Sequence, residues 1–389
     1  MNIDAWKLTR DPAGNLYGTT ESYGPAGLGV VFKLDSAGQE TVLLGFSVAA
    51  NGSYPNAGVI ADSAGNLYGT TPQGGPANAG VVYKLDSTAH QTVLYAFTGG
   101  ANGGYPSGGV IRDPAGNLYG TAGTVVYKLD TAGQETVLYT FTGGADGCSP
   151  NGLVRDTAGN FYGTTAFCGT GGYGVVYKLD TAGHQTVLYS FTGGADGASP
   201  YAGVIRDSAG NLYGTTVEGG APGGCYGSGC GVVFKVDPAG HETVLHRFTG
   251  GSDGGLPQAG VIRDSAGNLY GTTSSFGTGG AVYKLDPTGH ATVLYSFTGA
   301  DGSQPYAGVI RDSAGNLYGT TYFGGAAGLG VVYELDTAGH EAVLHSFTGG
   351  ADGGKPLAGL FRGPAGNLFG TTSSGGKELA GVVFAVKPH

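Results

Sequence analysis

Charge is scarce in this chain. Lys, Arg, Asp and Glu make up 12% of its 389 residues, about half of the usual ~25%. The 18 basic residues stand singly against 28 acidic ones, for a net charge of −10. That excludes the basic stripe by which proteins hold nucleic acid. No apolar run approaches the ~20 residues a membrane-spanning helix needs. The opening MNIDAWKLTR shows no basic-then-apolar export signal. No window repeats apolar residues at the helical period, so helical fold classes fall away as well.

Cysteine is limited to four residues, Cys148, Cys168, Cys225 and Cys230. No His lies within several residues of any of them and the C-x-x-C spacing is missing, which argues against a metal site. Two disulfides in an oxidising compartment are expected, with four free thiols as the alternative. Cys225 and Cys230 would pin one loop; Cys148 and Cys168 enter one repeat unit from the same side.

What is abundant is glycine, 81 residues, about three times the usual ~7%. A strict Gly-X-Y period is absent. With 40% hydrophobic and 11% aromatic residues, the chain reads as folded and not as a disordered tract.

The phrase IRDSAGNLYGTT recurs in close copies, its Asn falling at 15, 66, 117, 160, 211, 268, 316 and 367. A period near fifty with variable spacing marks one supersecondary unit copied eight times. Each unit reads as four short strands. In the fifth they are GVIRD (203–207), NLYGTT (211–216), GVVFKVD (231–237) and ETVLHRF (242–248), rich in Val, Tyr, Phe and Thr and bounded by Gly or Pro. Both hairpins in a unit use Asp-x-Ala-Gly, the pattern of a type I turn closed by a left-handed Gly bulge, with the Asp carboxylate accepting the turn's own amides.

Eight such units predict an all-β chain, a single domain over 1–389: an eight-bladed β-propeller of four-stranded antiparallel blades. The last unit stops after its third strand, at GVVFAVKPH, and the first begins directly at its first strand. The last blade therefore lacks its outer strand unless the N-terminus completes it. A strand trimmed from before residue 1 is the expectation; partial filling by residues 1–5 and a three-stranded blade are the alternatives.

The Asp-x-Ala-Gly turns fall on one rim and are nearly constant. The opposite rim carries loops ranging from AGT to VEGGAPGGCYGSGC, together with all four cysteines. Function on rigid scaffolds resides in such loops. Candidate ligand-binding aromatics there are Tyr23, Phe167, Tyr173, Tyr226, Phe276, Tyr322 and Phe323, flat rings among Gly and Ser that suit sugar faces; filling wedges between blades is the bland reading of the same rings.

Asn51, Asn102, Asp146, Asp196, Asp253, Asp301 and Asp352 recur on that rim and raise the idea of calcium, which takes six to eight oxygens. Each is a single acid before Gly, so a turn explains them better and no cofactor is expected. Arg in the first strand and Lys in the third recur in nearly every blade, which points to structural pairing with neighbouring Asp or Glu. His90, His184, His241, His290 and His340 share a position with Gln39 and Gln134, as solvated turn residues do. Matches to G-x-S-x-G at 250–254 and G-x-G-x-x-G at 169–174 lack the helix each motif needs.

Through AGNLYGTT, GVVYKLD, ETVLYSFTGG and DGxxPxAG the chain resembles the GloVer tandem-repeat proteins over essentially its whole length. The resemblance implies a bacterial extracytoplasmic repeat region, often followed by a surface-anchoring tail; it carries no functional residues. A looser likeness to NHL-type propellers supports the fold alone. The expected function is a secreted or cell-surface, non-catalytic propeller binding glycan or protein through its variable-loop rim. The alternatives are a polysaccharide lyase or hydrolase using Glu21, Glu218 or Glu378, and a structural module whose open last blade pairs with another chain. The sequence leaves the oligomeric state open.

Overall fold

In the computed structural model, eight antiparallel sheets follow one another along the chain. The structure describes all residues except 1–7, 23, 36–38, 48–50, 222, 276–278, 364–365, 377–380 and 389. Blade 5 shows the plan: Ile205–Arg206, Leu212–Thr216, Val232–Val236 and Glu242–Arg247 pair in chain order. The result is the expected eight-bladed β-propeller. Blade 4 gains a fifth strand, Cys148–Pro150, and the last sheet has three.

The turns form as their sequence dictates. Gly210 N–H bonds to Asp207 O at 3.1 Å, Asp207 N–H to Asn211 O at 3.0 Å, and Gly210 takes the positive φ of 91° that only Gly adopts freely.

The innermost strand is shorter than its GVIRD pattern suggested. Only Ile205 and Arg206 pair with the second strand, opposite Tyr213 and Leu212. The residues just before them turn toward the preceding blade: Thr164 Oγ1 donates to Ala202 O at 2.9 Å. The same bond runs from Thr19 to Ala57, Thr70 to Gly108, Thr215 to Ala259, Thr272 to Ala307 and Thr320 to Ala358. The first Thr of each YGTT thus ties one blade to the next through a buried hydroxyl that has its acceptor.

The cores lie between blades, not within them. Tyr162, Val176 and Phe191 of blade 4 pack on Val204, Leu212 and Phe234 of blade 5. Leu8, Leu16 and Phe32 pack on Phe361, Phe369 and Val383, closing the ring from blade 8 to blade 1. The Phe that ends each outer strand meets the third-strand aromatic of the next blade edge-on, as in Phe141–Tyr177 at 5.0 Å and Phe191–Phe234 at 5.1 Å. Each third-strand ring lies over the Gly of LYGTT: a Cβ on Gly163 would stand 2.7 Å from Tyr177 Oη. That Gly is a packing requirement.

Blade 8 exposes what an outer strand covers elsewhere. Val232, Val233 and Val236 of blade 5 are fully buried, whereas their counterparts Val382, Val383 and Val386 are half-buried. They line a groove with His345 and Asp352 of blade 7. The alternative of partial filling of this edge by residues 1–5 falls outside the described residues.

Candidate functional site

The constant rim spends its polar residues on itself. Asp207 Oδ1 accepts the Asn211 amide at 2.9 Å, and Oδ2 accepts Asn211 Nδ2 at 2.9 Å and the Tyr213 hydroxyl at 3.0 Å. Burial pushes this carboxyl up, but the bonds from Asn211 and Tyr213 outweigh it and hold it below its ordinary value. The cassette repeats through blades 1 to 7. In blade 8 both ends change together, to Gly363 and Phe369. Losing donor and acceptor at once avoids a stranded polar group.

The first-strand arginines differ from expectation. Instead of ion-pairing as a rule, the guanidinium in blades 3 to 8 lies over the cassette Tyr of the preceding blade, as with Arg206 over Tyr162 at 5.4 Å, Arg263 over Tyr213 at 5.8 Å and Arg311 over Tyr270 at 5.6 Å. Arg362 also reaches Asp312 at 3.8 Å. The Tyr offers its ring to the next blade because its hydroxyl already serves its own. Blade 2 has Ala61 at this place. There Tyr17 is pushed up to about 12 by burial and by Asp11, while in Tyr213 the Arg263 charge opposes the same rise. The recurrent acids of this rim thus fasten their own hairpin, and the arginines fasten one blade to the next.

On the variable rim the recurrent acids are also engaged. Asp196 takes the Tyr189 hydroxyl at 3.0 Å, the Thr192 amide at 2.7 Å and Thr192 Oγ1 at 2.6 Å. Asp146 repeats the set. His246 and His345 stand in for the Tyr, facing Asp253 at 3.2 Å and Asp352 at 3.1 Å. These acids hold loops, as a turn reading expects. Among the described residues no three His, Cys, Asp or Glu side chains gather as metal ligands would. Both disulfides form, Cys148–Cys168 and Cys225–Cys230. The turn histidines are exposed, with His184, His241 and His340 each against its own turn Asp.

What remains on this rim is an aromatic sector. Tyr306 and Tyr322 meet edge-on at 5.4 Å, and Tyr322 and Phe323 at 4.6 Å. Tyr306 donates to Gln304 Oε1 at 2.8 Å. Lys355 of the next blade holds its Nζ 5.9 Å from the Tyr322 ring centroid and 5.6 Å from that of Phe323. Burial raises the Tyr306 hydroxyl, and Tyr322 and Tyr226 add to the rise; Tyr226, on the Cys225–Cys230 loop of blade 5, thus lies within electrostatic range of Tyr306. Tyr226 is 87% exposed. A second, smaller grouping pairs Phe167 with Tyr201 at 5.8 Å, beside Glu218, whose Oε2 accepts Ser199 Oγ at 3.2 Å.

Of the aromatics picked from sequence, Tyr322 and Phe323 come together, Tyr226 lies within electrostatic range of their neighbour Tyr306, and Phe167 belongs to the second grouping. Tyr173 is half-exposed but its ring covers Gly193, where Leu329 covers Gly349; it serves the loop. Tyr23 and Phe276 fall outside the described residues, as does Glu378, while Glu21 is exposed. Tyr201, Gln304, Tyr306 and Lys355 were missed. They flank the Pro of DGxxPxAG, and the available signal was that these two positions vary within a phrase otherwise held constant.

The sequence profile of the Gloeobacter/Verrucomicrobia repeat matches residues 4–125, 122–302 and 274–389, the whole described chain. No curated protein matches it in sequence. Among solved structures it is similar to virginiamycin B lyase from Staphylococcus aureus, at 12% identity and TM-score 0.51, over 85% of this chain and 94% of that one. It is also similar to Porphyromonas gingivalis dipeptidyl peptidase 4, at 13% identity and TM-score 0.54, over 99% of this chain and 58% of that one. The third is PorZ, a surface component of the type-IX secretion system of the same organism, at 13% identity and TM-score 0.51, over 100% of this chain and 60% of that one. At such identities the likeness is one of fold.

Proposed function

The chain belongs to the Gloeobacter/Verrucomicrobia repeat family, and from that premise we propose a secreted or cell-surface propeller that binds a carbohydrate chain on its variable rim. Two disulfides point to an oxidising, extracytoplasmic compartment. No helix among the described residues is long and apolar enough to cross a membrane.

The observation that carries the reading is the sector of Tyr306, Tyr322 and Phe323. The third-strand rings and the Phe after each outer strand are buried between blades. In this sector aromatics collect on the one rim whose loops vary, with the amide of Gln304 and the ammonium of Lys355 among them. Flat apolar faces edged by a few hydrogen-bonding groups suit pyranose rings, which present C–H on their faces and hydroxyls around their rims.

Affinity electrophoresis through gels containing soluble polysaccharides tests this. Wild-type protein is retarded by at least one of them, and Tyr306→Ala, Tyr322→Ala and Phe323→Ala together weaken retardation at least tenfold while the unfolding midpoint stays within a few degrees. Retardation that survives the triple substitution refutes the proposed site.

A further inference from the structure

Fifty glycines in the described chain have positive φ, against twelve other residues. Glycine is this chain's ordinary answer to a left-handed backbone. Seven of the twelve exceptions are one repeated position, the residue before the loop Pro: Tyr54, Tyr105, Ser149, Ser199, Leu256, Gln304 and Lys355, with φ between 54° and 57°. At none of these seven does Gly appear.

The backbone there is held from both sides without help from the side chain. Ser199 N–H bonds to Tyr173 O of the preceding blade at 3.0 Å, and Ser199 O accepts Val217 N–H of its own blade at 3.2 Å. Lys355 bonds likewise to Leu329 O at 2.6 Å and from Ser373 N–H at 3.2 Å, and Gln304 to Gly279 O and from Tyr322. Left-handed geometry in a residue bearing a Cβ costs free energy that Gly would avoid, and it persists where the surroundings impose it. The side chains retained at that cost share neither size nor polarity, as a common packing role would demand. Ser199 is buried against Glu218 and Leu256 packs on the core between blades 5 and 6, whereas Tyr105 is 58% exposed and Gln304 and Lys355 belong to the aromatic sector.

We propose that the left-handed positions whose side chains reach the variable rim, Tyr105, Gln304 and Lys355, determine which carbohydrate it accepts, and that Lys355 makes its sector select sugars bearing a carboxylate. The assignment rests on the carbohydrate-binding reading above. A pyranose stacked on Tyr322 or Phe323 lies beside the Lys355 ammonium, and a uronate carboxylate there would form a charge-assisted hydrogen bond with it. A neutral sugar has no such partner to offer.

The experiment compares Tyr105→Gly, Gln304→Gly and Lys355→Gly for thermal midpoint and for retardation in polygalacturonate and in neutral galactan gels. The expected midpoints are unchanged or higher, because Gly relieves the left-handed backbone. Wild-type protein is retarded more by polygalacturonate, and Lys355→Gly removes that preference by at least fivefold. Lower midpoints in the Gly variants would show the side chains to be structural and overturn the assignment. So would an unchanged preference in a protein whose retardation still depends on Tyr322 and Phe323, which leaves the carbohydrate site standing. Wild-type protein retarded by no polysaccharide overturns both.

Discussion

Replacing Glu242 by Gln stabilises this protein at pH 8 and leaves it nearly unchanged at pH 5. Glu242 opens the outer strand of blade 5, where burial first and the Asp196 carboxylate second push its carboxyl up to about 7. Its Oε1 is buried without a hydrogen-bond partner. Glu341 repeats the situation against Asp301, also at about 7. The folded value lies above the unfolded ~4.5, so the native state holds the proton more tightly. Stability is therefore fully present below the unfolded value and declines as pH rises through the folded one. The rise to about 7 corresponds to about 3 kcal/mol; partial exposure and solvent screening reduce this to on the order of 1 kcal/mol per residue. Two other blades already carry the replacement: Gln91 donates to Asn51 O at 2.7 Å and Gln185 to Asp146 O at 3.3 Å. Urea titrations of Glu242→Gln, Glu341→Gln and the double variant at both pH values measure the effect. Equal gains at pH 5 and pH 8, or a loss at pH 8, would refute the reasoning, because neither follows from relieving a buried, ionised carboxylate.

Three further outcomes follow from the repeat's own variation. Gly163→Ala destabilises by about 3 kcal/mol in the same titration, since its Cβ meets the immobile Tyr177 ring. Tyr177→Phe is neutral or stabilising by up to ~1 kcal/mol, because its hydroxyl is buried without a protein partner and blades 1, 5 and 8 carry Phe there; a loss above ~1 kcal/mol would contradict this. In a double-mutant cycle Asp207→Gly costs about 2 kcal/mol alone and less once Tyr213→Phe is present, the pair that blade 8 displays as Gly363 and Phe369; strict additivity would show that the hydroxyl and carboxylate are not coupled.

The local rules were written in the chain. The Asp-x-Ala-Gly turns, the strand runs and the period near fifty specify hairpins whose geometry depends on neighbours within seven residues, so a single copy suffices to read them and eight copies to count blades. The Cys225–Cys230 pair was legible for the same reason, falling within a single loop, whereas Cys148 and Cys168 lie in two loops that the pairing of Cys148 with Phe167 brings together. Contacts between blades were not. The shortness of the inner strand depends on Thr hydroxyls about forty residues away, and the stacking of Arg263 on Tyr213 joins residues whose sequence suggested only charge pairing. Likewise Gln304 and Tyr306 lie in a different loop from Tyr322 and Phe323, joined to it by pairing at the rim of the folded blade, and the packing of the next blade adds Lys355. The sequence determines each sheet through short-range backbone and turn chemistry; radial packing of those sheets decides which side chains are fastenings and which are left on the variable rim to meet a ligand.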